Sequence, residues 1–91
     1  MKFICKVLDL IEDGYEVDFR PNTSAGWILI EFRKYSQALK KEFAIRNIVP
    51  YRDLIYLRDF ESEEYMTNVL TKMETAFEQS IEKEIHIYAE N

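Results

Sequence analysis

The chain has 91 residues, 47% of them hydrophobic, and a net charge of -5, which suits a single domain over 1–91 with one modest core. One Cys, one His and two Gly exclude an internal disulfide, a zinc or iron–sulfur centre and a Gly-rich phosphate cradle. Apolar runs such as Trp27–Ile30 are far short of the roughly 20 residues of a membrane span, and the start lacks the apolar stretch and cleavage site of a signal peptide, so a cytoplasmic protein with no membrane contact is expected.

Phe3, Ile4, Val7, Leu8 and Ile11 recur at helical spacing with Lys2, Lys6, Asp9 and Glu12 on the other side, and Gly14 stands where a helix prefers a left-handed residue. The pattern predicts a helix over 2–13; a hairpin through Asp13-Gly14 is the competing reading. Cys5, among apolar neighbours, is expected in the core. Tyr15, Val17 and Phe19 alternate with charged residues as a half-buried strand does, with Pro21 as its end and 22–26 as a mobile connection.

Trp27–Tyr35 reads as a central strand, with Ile28, Ile30 and Phe32 inward and Trp27, Leu29, Glu31, Arg33 and Tyr35 outward. Between Ser36 and Asn47 helix propensity competes with the alternation of Leu39, Phe43 and Ile45; a third strand is preferred, because two strands make a marginal sheet. Pro50 stops the ladder, and 50–57 is a short turn or link carrying Leu54, Ile55 and Leu57 to the core edge. From Asp59 to Ile85 an acidic amphipathic helix follows, N-capped by Ser62 and running to about Glu84, with Met66, Leu70, Met73, Phe77 and Ile81 along one stripe. Ile85–Tyr88 is β-prone, an edge strand or a fraying end. The expected fold is therefore α+β: an N-terminal helix, a three-stranded antiparallel sheet, and a long C-terminal amphipathic helix on one sheet face.

Acidity is concentrated at the end. Residues 1–58 hold ten Lys/Arg against eight Asp/Glu, residues 59–91 two against nine. Enzymatic motifs are missing: the serines lack a nucleophile-elbow context, and His86, near the end of the chain, is read as a surface histidine without an orienting partner. Glu74, Glu78 and Glu82 recur every fourth residue but lack calcium-loop spacing. No catalytic residue, cofactor or metal is expected, and the protein is expected not to be an enzyme.

The order of helix, strand Gly14–Phe19, strand Trp27–Arg33, third strand and acidic helix resembles small uncharacterised phage and prophage proteins. More loosely, it is similar to the short type II-A anti-CRISPR proteins, which block a nuclease by mimicking DNA. That resemblance implies an accessory protein in the bacterial host cytoplasm that binds another protein. Arg33, Lys34, Lys40 and Lys41 interrupt the continuous negative surface such mimicry uses.

Three surfaces follow as expectations. Glu63, Glu64, Glu74, Glu78 and Glu82 form an acidic helix face for a protein partner, of the kind that binds nucleic acid through a basic cleft. Alternatively Arg33, Lys34, Lys40, Lys41 and Arg46, near Trp27 and Tyr35, bind nucleic acid. In a third reading Trp27, Leu29 and Tyr35 on the outer sheet face build a homodimer.

Overall fold

The computed structural model describes the backbone of residues 2–90 and the side chains of residues 2–83. Helix α1 (Lys2–Glu12) is followed by strands β1 (Glu16–Asn22), β2 (Trp27–Ser36) and β3 (Lys41–Pro50), one 3₁₀ turn at Tyr51–Asp53, and helix α2 (Asp59–Glu90). The strands form an antiparallel sheet in the order β1-β2-β3, so β2 is central as expected. Both helices lie on the same face of it, which gives the expected α+β architecture. No helix among the described residues is long and apolar enough to cross a membrane.

Asp13-Gly14 is a helix cap and not a hairpin turn. Gly14, at φ 94°, sits at the left-handed position, the Tyr15 amide donates to the Leu10 carbonyl and the Gly14 amide to that of Ile11, each at 3.0 Å. That pair of bonds, with Leu10 and Tyr15 both in the core, is the Schellman arrangement. The cap turns the chain straight from α1 into β1.

Three boundaries differ from the expected ones for identifiable reasons. β1 continues through Pro21, paired with Ile28, because β1 is an edge strand and a missing donor is tolerated there. Asn22 then closes the connection to β2: its side-chain oxygen accepts the Ala25 amide at 3.0 Å and its carbonyl accepts that of Gly26 at 2.9 Å. β3 begins only at Lys41 and runs to Pro50, since 37–40 forms the turn that register with β2 requires, with Lys40 left-handed at φ 53°.

α2 starts at Asp59, earlier than a Ser62 cap would allow, and the Ser62 amide already donates to the Arg58 carbonyl at 2.8 Å. Asp59 and Glu61 in its first turn favour the positive end of the helix dipole. The helix also runs through the β-prone Ile85–Tyr88 to Glu90; the side chains there, His86 included, lie outside the described residues.

The α2 stripe seals the core. Leu70, Met73 and Phe77 are buried, with Met66 and Ile81 partly buried beside them, against Ile30 and Phe32 of β2 and Val49 of β3. Phe77 meets Tyr15 edge-on at 5.2 Å and Phe43 at 6.4 Å between centroids, and Tyr15 meets Phe32 at 5.8 Å. On α1 only part of the expected apolar face points inward. Phe3, Val7 and the fully buried Leu10 pack on the core, whereas Ile4, Leu8 and Ile11 are exposed. Cys5 is exposed rather than buried, because apolar residues surround most of this short helix and the core takes one side. Leu54 reaches the core as expected, while Ile55 is 64% exposed.

Replacing Phe77 by Ala removes the ring that joins helix, cap and sheet, and is expected to destabilise the protein by about 3–5 kcal/mol. Ile55→Ala, at a surface position, is expected to change stability by less than about 0.5 kcal/mol. Urea unfolding followed by circular dichroism measures both.

Candidate functional site

The five glutamates of the expected acidic face do not share one surface. Glu63 turns toward α1, where its Oε1 accepts the Phe3 amide at 3.3 Å and satisfies an otherwise orphaned helix donor. Glu74 accepts from Lys6 Nζ at 2.6 Å in a pair whose side chains are 21% and 18% exposed. Both hold α1 against α2. Glu64, Glu78 and Glu82 remain exposed. Between Glu64 and Glu78 the outer side of α2 carries Asn68, Thr71, Lys72 and Thr75, and the hydroxyls of Thr71 and Thr75 donate to carbonyls one turn back. The acidic row is thus interrupted.

Glu78 and Glu82 instead form one wall of a groove of about 500 Å³ at the end of the sheet where β2 leaves the core. Lys34, Tyr35, Ser36 and Gln37 form the facing wall, with Tyr15 and Ile81 between. The geometry follows from the strand register. Lys34, paired with Phe43, is the residue of β2 that follows Ile30 and Phe32 on the helix side, and its ammonium lies 4.5 Å from the Tyr15 ring centroid. Such a contact is worth about 0.5–1 kcal/mol at an exposed site.

Tyr15 is 3% exposed, and its hydroxyl is buried without a hydrogen-bond partner among the described residues. Burial first, then the negative charges of Glu78, Glu74 and Asp13, push the phenol up to about 12. It stays a neutral donor at any physiological pH. A buried unsatisfied hydroxyl in a native fold calls for an explanation, and Tyr15 is also among the residues that line the groove.

The expected basic patch is likewise divided. Arg33 and Arg46 point to the opposite sheet face, where both close over Glu31, a carboxylate only 3% exposed. Arg33 also reaches Asp18 and Glu16, each at 3.0 Å. Lys34 belongs to the groove, Lys40 is exposed on the β2–β3 turn, and Lys41 lies over the Phe43 ring at 4.8 Å. Of the expected self-association residues, Trp27 and Leu29 are half-buried beside Ile48 at one end of the outer face, while Tyr35 is at the other end.

Sequence reasoning assigned the floor residue Tyr15 to a strand face and left Ser36 and Gln37 without a role. The available signal was the alternation of β2, which places Lys34 in phase with Ile30 and Phe32. Compared with protein-family models, curated proteins and solved structures, the chain matches none.

The hydrogen bond from Arg46, together with the charges of Arg46 and Arg33, holds the Glu31 carboxyl below its ordinary value of 4.5. A carboxyl lowered by folding contributes stability above its unfolded value and loses it as pH falls through the lowered one. Glu31→Gln is therefore expected to be less stable than the native chain at pH 7, with the gap closing below about pH 4. Urea midpoints of both proteins across that range test this.

Proposed function

We propose that this is a non-enzymatic accessory protein that binds and modulates another protein, and that the groove beside Glu78 and Glu82 receives an extended basic segment of that partner. The observation that carries the reading is the convergence of two exposed carboxylates and one ammonium on one concavity lined in part by Tyr15, whose buried hydroxyl has no partner among the described residues. Its volume falls in the range of ligand pockets, roughly 300–1,000 Å³. A phage-type role, implied by the order of elements, is compatible with it.

The chemistry of each wall suits a peptide. Glu78 and Glu82 are one helical turn apart, a spacing at which two carboxylates bracket a guanidinium or ammonium group. Lys34 on the facing wall attracts main-chain carbonyls, and Ser36 and Gln37 offer hydroxyl and amide groups to the same chain. Tyr15 donates to a carbonyl that enters the floor. The partner's positive charge also answers the acidity of the C-terminal third.

Two variants separate binding from folding. Glu78→Lys with Glu82→Lys is expected to weaken binding of an arginine- and lysine-bearing extended peptide by about 10- to 100-fold. Tyr15→Phe is expected to weaken it by about 5-fold while leaving stability unchanged or raising it by up to ~1 kcal/mol, because the orphaned hydroxyl is gone. Fluorescence anisotropy with basic and acidic peptides of matched length reads the affinity. Equal weak binding of both peptides, or chemical-shift changes centred on Glu64 and Asn68 instead of the groove, would count against the proposal.

A further inference from the structure

Given that the groove takes a basic segment, as proposed above, we infer that it reads the end of that segment. The partner's C-terminal carboxylate is held on the wall of Lys34, Ser36 and Gln37, and a basic side chain at or beside that terminus on the wall of Glu78 and Glu82. Capture of a terminal carboxylate is a recurring mode of peptide recognition.

The two walls offer opposite chemistry. On the α2 side Glu78 and Glu82 are exposed carboxylates, which accept and do not donate, and neither makes an ion pair among the described residues. On the sheet side Lys34 has three N–H donors and no acceptor. Ser36 Oγ accepts the Leu39 amide at 3.3 Å, which leaves its own hydrogen to donate, and the exposed Gln37 amide can turn its NH₂ the same way. One wall matches a cation and the other an anion.

Lys34 is a positioned charge rather than a swinging one. Its stem passes Gly14, where a Cβ would stand 3.7 Å from Lys34 Cε, and its ammonium lies over the Tyr15 ring at 4.5 Å. The ring takes one side of the ammonium, and no carboxylate is within ion-pair distance of it among the described residues. Glu78 and Glu82 line the same groove and do not close on it. A half-buried ammonium left unpaired between two carboxylates and a ring is open to an incoming anion. A main-chain carbonyl inside a segment brings only a dipole to that wall. A chain end brings a full charge and two acceptor oxygens, and charge-assisted hydrogen bonds are about twice as strong as neutral ones.

Fluorescence anisotropy of the native chain with N-terminally labelled hexapeptides of glycine and serine ending in arginine tests this. One peptide has a free C-terminal carboxylate, and the other is its amide. The net charge of -5 alone favours the amide, which is one unit more positive, so the sign of the difference is diagnostic. The free acid is expected to bind tighter by about 10-fold or more. Lys34→Met, which keeps an unbranched stem against Gly14 and Tyr15, is expected to abolish that preference while the amide binds within about 3-fold of its affinity for the native chain. The comparison of peptides on the native chain stands even if Lys34→Met disturbs the cap. Free arginine is expected to displace the peptide only at about 10-fold or greater excess; displacement at equal concentration would assign the groove to a free amino acid and overturn the chain-end inference. Equal binding of acid and amide, both weakened by Glu78→Lys with Glu82→Lys, also overturns it, and leaves the groove as a site for basic segments. Binding of neither peptide overturns both readings.

Discussion

Everything else in the molecule depends on the seating of the α2 stripe on one face of the sheet, with Phe77 at its focus. Its ring touches Tyr15 from the α1 cap and Phe43 from β3, so a single side chain ties together three parts of the chain that are distant in sequence. Because both helices occupy that face, the other side of β2 has no cover. The sheet answers with charge rather than with apolar packing. Glu31, at the centre of the outer face, is buried by Arg33 and Arg46 lying over it, and Arg33 is held in turn by Asp18 and Glu16. A buried carboxylate without such partners would be strongly destabilising. Here Arg33 and Arg46 supply those partners.

The groove is a consequence of mismatched lengths. A helix of 32 residues spans about 48 Å, whereas a strand of ten spans about 33 Å. One end of α2 must therefore pass beyond the sheet. Where the sheet's apolar side gives way to Lys34, the helix continues with Glu78, Ile81 and Glu82, and the space between is filled by neither. Tyr15 is placed there by the α1 cap, two steps away in the logic of the fold. Its hydroxyl is the point at which the core's demands and the surface diverge, since a phenylalanine would satisfy the core as well.

Much of this was legible in the amino-acid sequence. The steps of Met66, Leu70, Met73, Phe77 and Ile81 identified the sealing stripe, and the alternation of Tyr15–Phe19 and Trp27–Tyr35 identified two strands and their inward faces. What escaped depended on partners distant along the chain. Helix periodicity places Glu63 and Glu74 on a helix face but cannot say that α1 lies along that side, where Phe3 and Lys6 recruit them. The five basic residues near β2 and β3 looked like one patch because they are close in sequence, yet a two-residue period sends Arg33 and Lys34 to opposite faces. On α1, local periodicity could not divide Phe3 and Val7 from Ile4 and Leu8, since only the position of the sheet decides which side is buried. The strand ends followed register rather than composition, as Pro21 and Lys41 show.

The same reading of partners bears on which surface of this molecule is exposed for contact. Sheet edges are the usual hazard in a three-stranded sheet, because their unpaired amides and carbonyls template another strand. On β1 the edge holds Pro21, which has no amide to offer, and on β3 the side-chain oxygen of Asn47 accepts the Ile48 amide at 2.9 Å. The open face between them is laced with the Arg33 and Arg46 network. The edges and the middle of the outer face are thus guarded by polar groups, while Ile48 stays half exposed at one end. On α1, Ile4, Leu8 and Ile11 are exposed on the side of the helix that the core does not take. Ile55, Tyr56 and Phe60, before and at the start of α2, are exposed as well, so the apolar surface of this molecule lies on its helices and their connection rather than along the sheet edges, where strand pairing would be unspecific.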